Sequence, residues 1–198
     1  MKSLCLALAF GSLAALSGPA LAEPFHHPYG EWREYNADWL SACPDQINEE
    51  DTSGYYGTSC FATTGSQLRN DANLPAYSMS LILNRLSGDL DVIFTVAPTD
   101  GTVLDETGTL EVRFGGEPAM VFDFEDDLET RYNTTNQYFV VDEARREALL
   151  EAMRERTAAI VAFPVSEGKP EEIWLSMRGV LASLDFMSTY ARRVGEYD

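Results

Sequence analysis

The sequence predicts an α+β fold that is mostly β: an antiparallel sandwich-like or strongly curved sheet with two helices in the C-terminal half. About eight short segments alternate apolar and polar residues, which is typical of strands with one wet face. Two later segments carry apolar residues at helical spacing. Because no repeat, low-complexity tract or linker divides the 198 residues, we expect residues 23–198 to form one layered domain.

The first predicted hairpin covers residues 77–97. From 77 to 84 the odd-numbered residues are apolar, and three of the four even-numbered ones are polar. A Ser87-Gly88-Asp89 turn follows, after which the even-numbered residues 90–96 are apolar. Two alternating runs around a short loop with glycine predict a β-hairpin, with these apolar residues facing the core.

Further strands follow the same alternation. A second hairpin is predicted for 110–124 around Gly115-Gly116, and a short strand for 138–141. Residues 157–165 and 172–177 predict another hairpin across a polar loop. The inward-facing residues of its second strand are expected to be Ile173, Leu175 and Met177.

Two helices are predicted in the C-terminal half. Asp142 is a suitable N-cap for a helix that runs to about Arg156, since no Gly or Pro interrupts it. A closing helix is expected from about Val180 to Arg193. The residues expected to be buried are Ala148, Leu149, Ala152 and Met153 on the first helix, and Val180, Leu184, Met187 and Ala191 on the second.

The N-terminal part of the mature chain has a weaker pattern. Residues 23–30 are expected to be an irregular lead-in. Residues 31–42 are compatible with a helix or with two short strands. Residues 44–57 are rich in Asp, Glu, Asn, Ser and Gly, which predicts a loop.

The first 22 residues have the features of a cleavable secretory signal. Lys2 supplies positive charge, residues 4–16 are apolar, and Ala20-Leu21-Ala22 places small residues before the cleavage point. The apolar run is shorter than the roughly 20 residues that span a bilayer. Cys5 lies within the run instead of after it, so no lipid anchor is expected. We therefore expect a soluble exported chain that does not insert into a membrane.

Cys43 and Cys60 remain after the leader is removed. Exported proteins meet an oxidising compartment, where paired thiols form disulfides. A bridge between them would close a loop of about 18 residues and stabilise the fold by about 3 kcal/mol. No Cys-x-x-Cys spacing is present, and two thiolates alone do not complete a zinc site. The sequence therefore predicts a structural Cys43–Cys60 disulfide and no cofactor.

The net charge restricts the partners. The whole chain carries −18 at pH 7, and removing the single lysine of the leader makes the mature chain more negative still. Such a surface repels nucleic acid and anionic lipid, so neither is an expected partner. The charge is more typical of an exported protein that stays soluble than of one with a dedicated cationic partner. An unidentified protein partner stays open.

The two histidines, His26 and His27, lie just after the predicted cleavage point. Chain ends are poorly ordered, and adjacent residues on an extended chain point apart. We therefore expect surface residues that form neither a catalytic triad nor a metal site. The sequence also has no Gly-x-Ser-x-Gly elbow and no phosphate-binding loop.

Acidic residues offer two further possibilities. The densest run spans 123–129, and carboxylates at close spacing can bind calcium. It lacks the Asp-x-Asp-x-Asp-Gly pattern, so a solvated loop is expected, and cation binding is left open. Paired carboxylates could also hydrolyse glycosides, but nothing selects a pair among the 32 acidic residues.

Aromatic residues form two clusters. One contains Trp32, Tyr35 and Trp39, and the other Tyr55 and Tyr56. Since large aromatic residues are more often buried than exposed, Trp32 and Trp39 are expected in the core. Tyr55 and Tyr56 are equally compatible with a core and with a surface that anchors a partner.

Two segments carry a family resemblance. Asp38-Trp39-Leu40-Ser41-Ala42-Cys43, followed by Cys60-Phe61-Ala62, resembles the opening of the invasion-associated locus B proteins and a related group of exported bacterial proteins. Residues 173–184 resemble their closing strand and helix. The resemblance implies a periplasmic or secreted protein of a Gram-negative bacterium, with a sandwich-like core and no known catalytic site. No functional residue carries over from the family beyond Cys43 and Cys60, and the second cysteine pair of many members is absent.

Together these observations predict an exported, non-enzymatic protein that binds or assists an envelope or secreted partner. A periplasmic hydrolase that uses two carboxylates is the alternative. An enzyme should present a concave pocket where carboxylates converge. A binding protein should instead present an exposed apolar patch.

Overall fold

The computed structural model describes residues 23–50, 54–97 and 102–191. The predicted leader, residues 1–22, and the last two residues of the predicted closing helix lie outside the described residues. No helix in these three ranges is long and apolar enough to cross a membrane.

The described residues form twelve strands and two helices. They are β1 (Phe25–His27), β2 (Glu31–Asn36), β3 (Trp39–Pro44), β4 (Ser59–Gly65), β5 (Tyr77–Asn84), β6 (Leu90–Val96), β7 (Thr109–Arg113), β8 (Met120–Asp123), β9 (Leu128–Thr130), β10 (Gln137–Val140), α1 (Glu143–Glu155), β11 (Ala158–Phe163), β12 (Glu171–Ser176) and α2 (Val180–Ala191).

The strands form two antiparallel sheets. The large sheet has eight strands in the order β1-β2-β3-β4-β5-β6-β10-β9, and the small sheet has four in the order β12-β11-β7-β8. The main core contains residues from both sheets and both helices. This arrangement confirms the mostly β, sandwich-like α+β fold.

The predicted hairpins are present with the expected faces inward. β5 pairs with β6 so that Met79 lies opposite Phe94 and Leu81 opposite Val92, all four fully buried. The hairpins β7–β8 and β11–β12 form as well. The apolar residues of β12 face the core as expected, since Leu175 is fully buried. Alternation therefore located these strands because one face of each is covered.

The N-terminal segment is more regular than expected. The irregular lead-in predicted for residues 23–30 is wrong, because Phe25–His27 pairs with β2 and Gly30, at φ +77°, closes the turn between them. The ambiguous stretch 31–42 forms two strands, with Ala37 at φ +52° in the connecting turn. Trp39 is 1% exposed and lies in the core, whereas Trp32 is half-buried and packs on the ring of Tyr190.

The helices begin close to where they were expected, but their buried faces differ. The Asp142 carboxylate caps α1 by accepting a hydrogen bond from the Arg145 N–H. Ala148 is exposed, and Leu150 is buried instead. On α2 the predicted Leu184 and Ala191 are only half-buried. The buried residues of α2 are Val180, Ser183, Phe186, Met187 and Tyr190.

The two segments that carry the family resemblance meet in space, at a position we call the Trp39–Ser176 contact. The Trp39 indole Nε1 donates to the backbone oxygen of Ser176 at 2.9 Å. The Ser176 Oγ donates to Asp38 Oδ2 at 2.6 Å. Gly179, just before α2, lies so close to the Asn36 backbone that a Cβ would be 1.8 Å from its oxygen. This contact ties β3, β12 and α2 together.

Candidate functional site

The candidate site is an open depression of about 650 Å³ on the outer face of the large sheet, away from the main core. We call it the outer groove. Its floor follows from strand register: Thr63 lies between Leu40 and Ser80, and Thr95 lies between Ser78 and Gln137. Residues opposite each other in antiparallel strands project to the same face, so these side chains form two rows across the sheet.

The floor is mostly hydroxyl and amide. The Ser80 hydroxyl donates to Thr63 Oγ1 at 2.9 Å, and Thr63 Oγ1 donates to the Met79 carbonyl at 3.4 Å. The side chains of Ser78, Thr95 and Gln137 are half-buried, and they make no hydrogen bond to another described residue. These polar atoms are therefore available to a ligand.

One wall of the groove is aromatic. Tyr55 is buried against Phe61, and Tyr56 stacks on Tyr55 with 4.6 Å between ring centroids. Tyr56 is 50% exposed and also contacts the edge of Phe61. Burial raises the pKa of the Tyr55 phenol, and the adjacent Tyr56 phenol raises it further. Tyr55 thus supports a Tyr56 ring that is open to solvent.

Tyr55 belongs to a second, smaller apolar cluster beneath this wall. This cluster lies on the outer face of the large sheet, next to the polar floor of the groove. Its members are Ala42, Tyr55, Phe61, Ile82, Ile93 and Phe139. Through Tyr55 the cluster holds residues 54–58 against the sheet, and the sequence had left the role of Tyr55 open.

The opposite wall is the segment 66–75 between β4 and β5. Asn70 organises it, because its Oδ1 accepts hydrogen bonds from the N–H groups of Ala72 and Leu74 at 3.1 and 3.0 Å. Gly65 lets the segment lie on the sheet, since a Cβ there would be 2.5 Å from the ring of Pro75. Leu74 and Arg69 are exposed along the rim.

The end of the groove at β2 carries another exposed aromatic residue. Tyr35 is 54% exposed and stacks on Phe25 with 6.0 Å between centroids and a 17° interplanar angle. β1, which the sequence did not predict, therefore supports the ring at this end of the groove.

The groove has little charge for so acidic a chain. Among its described lining residues, Asp38 is the one carboxylate and Arg69 the one cation. Asp38 already accepts a hydrogen bond from Ser176. The other carboxylates of the described residues therefore lie outside the groove.

Cys43 and Cys60 are joined by a disulfide, the pairing expected from the sequence. They lie on the adjacent strands β3 and β4 and face the main core, 1% and 0% exposed. The bond closes the segment 44–59, which contains Tyr55 and Tyr56. It therefore anchors the aromatic wall and makes no contact with the groove floor.

The histidines have separate partners on the edge strand β1. His26 Nε2 is 2.6 Å from Asp45 Oδ2, and His27 Nδ1 is 4.0 Å from Glu31 Oε1. Their side chains diverge, as expected for neighbours on an extended chain. Neither histidine lines the outer groove.

The acidic run 123–129 forms the turn between β8 and β9. Asp127, 6% exposed, accepts a hydrogen bond from the Asp123 N–H at 2.8 Å and pairs with Arg145 at 3.0 Å. Glu129 pairs with Arg131. Part of the run is thus structural, although a solvated loop was expected. Within the described ranges, no group of three or more His, Cys, Asp or Glu side chains is arranged to hold a metal ion.

A depression of about 720 Å³ on the small sheet contains two carboxylates, Glu111 and Glu172. Glu172 forms a salt bridge with Arg113, and Lys169 also lines this depression. Glu111 and Glu172 lie on β7 and β12 with β11 between them. This arrangement does not single out a general acid and a partner carboxylate.

The fold and the groove define the chain as an antiparallel β-sandwich with one open, aromatic-walled sheet face. It is similar to the crystal structure of invasion associated protein B from Bartonella henselae, with a TM-score of 0.52 at 18% identity, over 79% of this chain and 96% of that chain. At this identity the likeness shows a shared fold. No family model and no curated protein matches the chain.

Sequence reasoning found part of this site. It placed Ser78 and Ser80 on the wet face of a strand and left Tyr56 open as a surface anchor. It missed Thr63, Gln137 and the wall 66–75. The available signal was the run of hydroxyl residues at the polar positions of neighbouring strands, which is visible only when the strand order is known.

Proposed function

We propose that this chain is an exported, non-enzymatic binding protein whose ligand or partner occupies the outer groove. The observation that carries the proposal is a half-exposed Tyr56 beside a floor on which the side chains of Ser78, Thr95 and Gln137 make no hydrogen bond to another described residue. Folded proteins ordinarily cover an aromatic surface of this kind or use it to bind.

Three observations support export. The first 22 residues have the pattern of a secretory signal. Cys43 and Cys60 form a buried disulfide, which suits an oxidising compartment. The fold is like that of an invasion associated protein of a bacterium. The proposal places the mature chain, beginning at Glu23, in the periplasm or medium.

Binding is favoured over catalysis because of what lines the groove. Its hydroxyl and amide groups suit hydrogen bonding, whereas its carboxylate, Asp38, is engaged by Ser176. His26 and His27, the usual kind of general base near neutral pH, lie outside it. The groove therefore has groups that can bind a molecule by hydrogen bonds.

Export is tested by expressing the full chain in a Gram-negative host and separating periplasm from cytosol. We expect periplasmic protein with Glu23 at its N-terminus, and both cysteines resistant to alkylation until reduced. A cytosolic product that retains Met1 and has reactive thiols would contradict export.

Binding is tested by immobilising the mature chain and passing an envelope extract over it. A specific component should be retained by the wild type and lost with Tyr56→Ala. Tyr29→Ala is the matched control, because Tyr29 is 83% exposed and lies outside the groove. If Tyr29→Ala loses every component that Tyr56→Ala loses, the groove is not the binding site.

A further inference from the structure

We infer that the outer groove binds an uncharged oligosaccharide. This inference rests on the proposed binding function and adds the chemical class of the ligand. It is carried by the exposed tyrosines Tyr35 and Tyr56, the hydroxyl and amide floor, the sparse charge and the length of the groove.

The aromatic residues suit the apolar face of a sugar ring. A pyranose presents C–H groups on its faces and hydroxyl groups around its edge, so it can pack flat on an aromatic ring while its edge remains polar. Tyr56 offers such a ring, held in place by Tyr55 and Phe61. Because this ring is already fixed, little side-chain entropy is lost when a ligand covers it.

The floor suits the edge of a sugar. Ser78 and Thr95 each offer a hydroxyl that can donate and accept, and Gln137 offers a donor and an acceptor side by side. Sugar hydroxyls have the same dual capacity, so each can be satisfied without a charged partner. The three side chains make no hydrogen bond to another described residue, which leaves their capacity unused within that part of the chain.

The charges argue against an ionic ligand. A phosphorylated or acidic ligand would need several cations, and among the described lining residues Arg69 alone supplies one. A cationic ligand would need free carboxylates, and Asp38 is already bonded to Ser176. In a chain of net charge −18, a nearly neutral groove matches an uncharged ligand.

The shape indicates a chain of sugars. The lining extends from Tyr35 on β2 to Gln137 on β10, which are separated by five strand spacings. At about 4.8 Å each, this distance is about 24 Å, long enough for several linked rings. Tyr35 supplies a second aromatic platform at the β2 end, so the two exposed tyrosines can contact different rings.

An extended peptide fits this face less well. Peptides that join a sheet use the free backbone groups of an edge strand. The floor is formed by β3, β4, β5, β6 and β10, and each has a neighbouring strand on both sides. A peptide in the groove would therefore depend on side-chain contacts alone.

The experiment measures binding by the mature chain with ¹⁵N chemical-shift titration and calorimetry. The probes are N-acetylglucosamine oligomers and maltose- and cellulose-type oligomers, with oligogalacturonate as the acidic probe. We expect at least one uncharged oligomer to bind and oligogalacturonate not to bind. Amide shifts should concentrate on β4, β5, β6 and segment 66–75. Affinity should not change with salt between about 0.05 and 0.5 M, since no charges pair.

Four variants test the residues involved. Tyr56→Ala is expected to weaken binding about tenfold or more, as for a central aromatic contact. Tyr56→Phe keeps the ring and should stay within about threefold, and Gln137→Ala should weaken binding by a similar small factor, since neutral hydrogen bonds contribute modestly. Tyr29→Ala should bind like the wild type. Circular dichroism of each variant checks that it is folded.

Different outcomes would overturn the oligosaccharide inference and the proposed binding function. Failure of all the uncharged oligomers to bind the folded wild type overturns the inference. The inference is also overturned if the Tyr56→Ala variant binds the oligomers as tightly as the wild type. A protein retained through the groove by the wild type and lost with Tyr56→Ala, while sugars fail, also overturns the inference but supports the proposed binding function.

Discussion

At the residue scale, two buried serines differ in whether their hydroxyl group has a hydrogen-bond partner. Ser176 and Ser183 are both buried, at 3% and 0% exposure. The Ser176 hydroxyl donates to Asp38 and accepts from the Arg178 N–H at 3.2 Å. The Ser183 hydroxyl has no partner among the described residues. An unpaired buried hydroxyl retains its desolvation cost, whereas a paired one does not.

Replacing these two serines by alanine should therefore have opposite effects. Ser176→Ala removes the two hydrogen bonds of the Ser176 hydroxyl and should lower the free energy of unfolding by about 1–3 kcal/mol. Ser183→Ala removes an unsatisfied group and should be neutral or stabilise by about 1 kcal/mol. Urea unfolding of both variants measures the difference. Equal destabilisation would contradict the role given to Asp38 and Ser176.

Tyr55 and Tyr138 predict a loss of stability in alkali. Burial raises the pKa of each phenol, reinforced by Tyr56 for Tyr55 and by a 2.7 Å hydrogen bond to Glu106 for Tyr138. Above the ordinary tyrosine pKa of about 10, the unfolded chain loses these protons while the folded protein keeps them. The unfolded state then binds fewer protons, so the free energy of unfolding falls as pH rises; below about pH 10 this contribution is complete.

The measurement is urea unfolding between about pH 8 and 11, together with the ultraviolet absorbance of phenolate. Tyr55→Phe and Tyr138→Phe should each flatten the decrease in stability. Tyr29→Phe, at a position 83% exposed, serves as the control and should leave the decrease unchanged. If neither buried substitution alters the slope, the two phenols do not control it.

At the scale of elements, the disulfide links strand pairing to the aromatic wall. Cys43 and Cys60 are 17 positions apart and join β3 to β4 at the base of the loop 45–58. A hydrogen bond from the Asn48 N–H to the Gly57 carbonyl, at 2.6 Å, narrows the same loop. Since the bond is buried in the main core, its contribution concerns stability and loop position.

Removing the disulfide should therefore lower the stability of the fold and loosen the segment between β3 and β4. The double variant Cys43→Ala/Cys60→Ala is expected to lose about 3 kcal/mol of unfolding free energy, because the unfolded chain is no longer constrained. Limited proteolysis should also cut within residues 44–59 sooner than in the wild type. Unchanged stability, together with unchanged cleavage, would show that the loop is held by its side chains alone.

The whole molecule depends on close approach between segments that are distant in sequence. Gly179 has φ +107°, and a Cβ there would be 1.8 Å from the Asn36 backbone oxygen. Gly168 has nearly the same φ, +106°, with nothing within 4 Å of a Cβ. Comparing alanine substitutions at the two glycines therefore distinguishes the free-energy cost of the positive φ from the cost of a clash between a Cβ and the Asn36 backbone.

Gly179→Ala should destabilise the fold by about 3 kcal/mol or more, since the clash with backbone adds to the strain at positive φ. Gly168→Ala should cost about 1–2 kcal/mol, for the strain alone. Thermal unfolding of the two variants compares them directly. Similar melting temperatures would contradict the tight approach of α2 to the turn between β2 and β3.

Local pattern predicted much of this fold, for a physical reason. A strand covered on one face needs an apolar residue at every second position, which located β5, β6, β7, β8 and β12. Likewise, the Asp142 side chain satisfies a free N–H at the start of α1. Short segments such as β1 were missed, because three residues are too few to establish a period. The buried face of α2 was misjudged because apolar residues occur around much of that helix.

The sequence alone determined the leader pattern, the cysteine pairing expected in an oxidising compartment, the acidic charge and the mostly β class, because these follow from composition and local alternation. The tertiary structure alone decided that residues from Tyr35 to Gln137 share one open sheet face, and that Asp38 and Ser176 meet. Alternation tells which residues lie on the same side of a strand. It does not tell which strands are neighbours or which side of the sheet stays open, since those depend on contacts between segments that are not adjacent in sequence, such as the pairing of β6 with β10 and of β7 with β11.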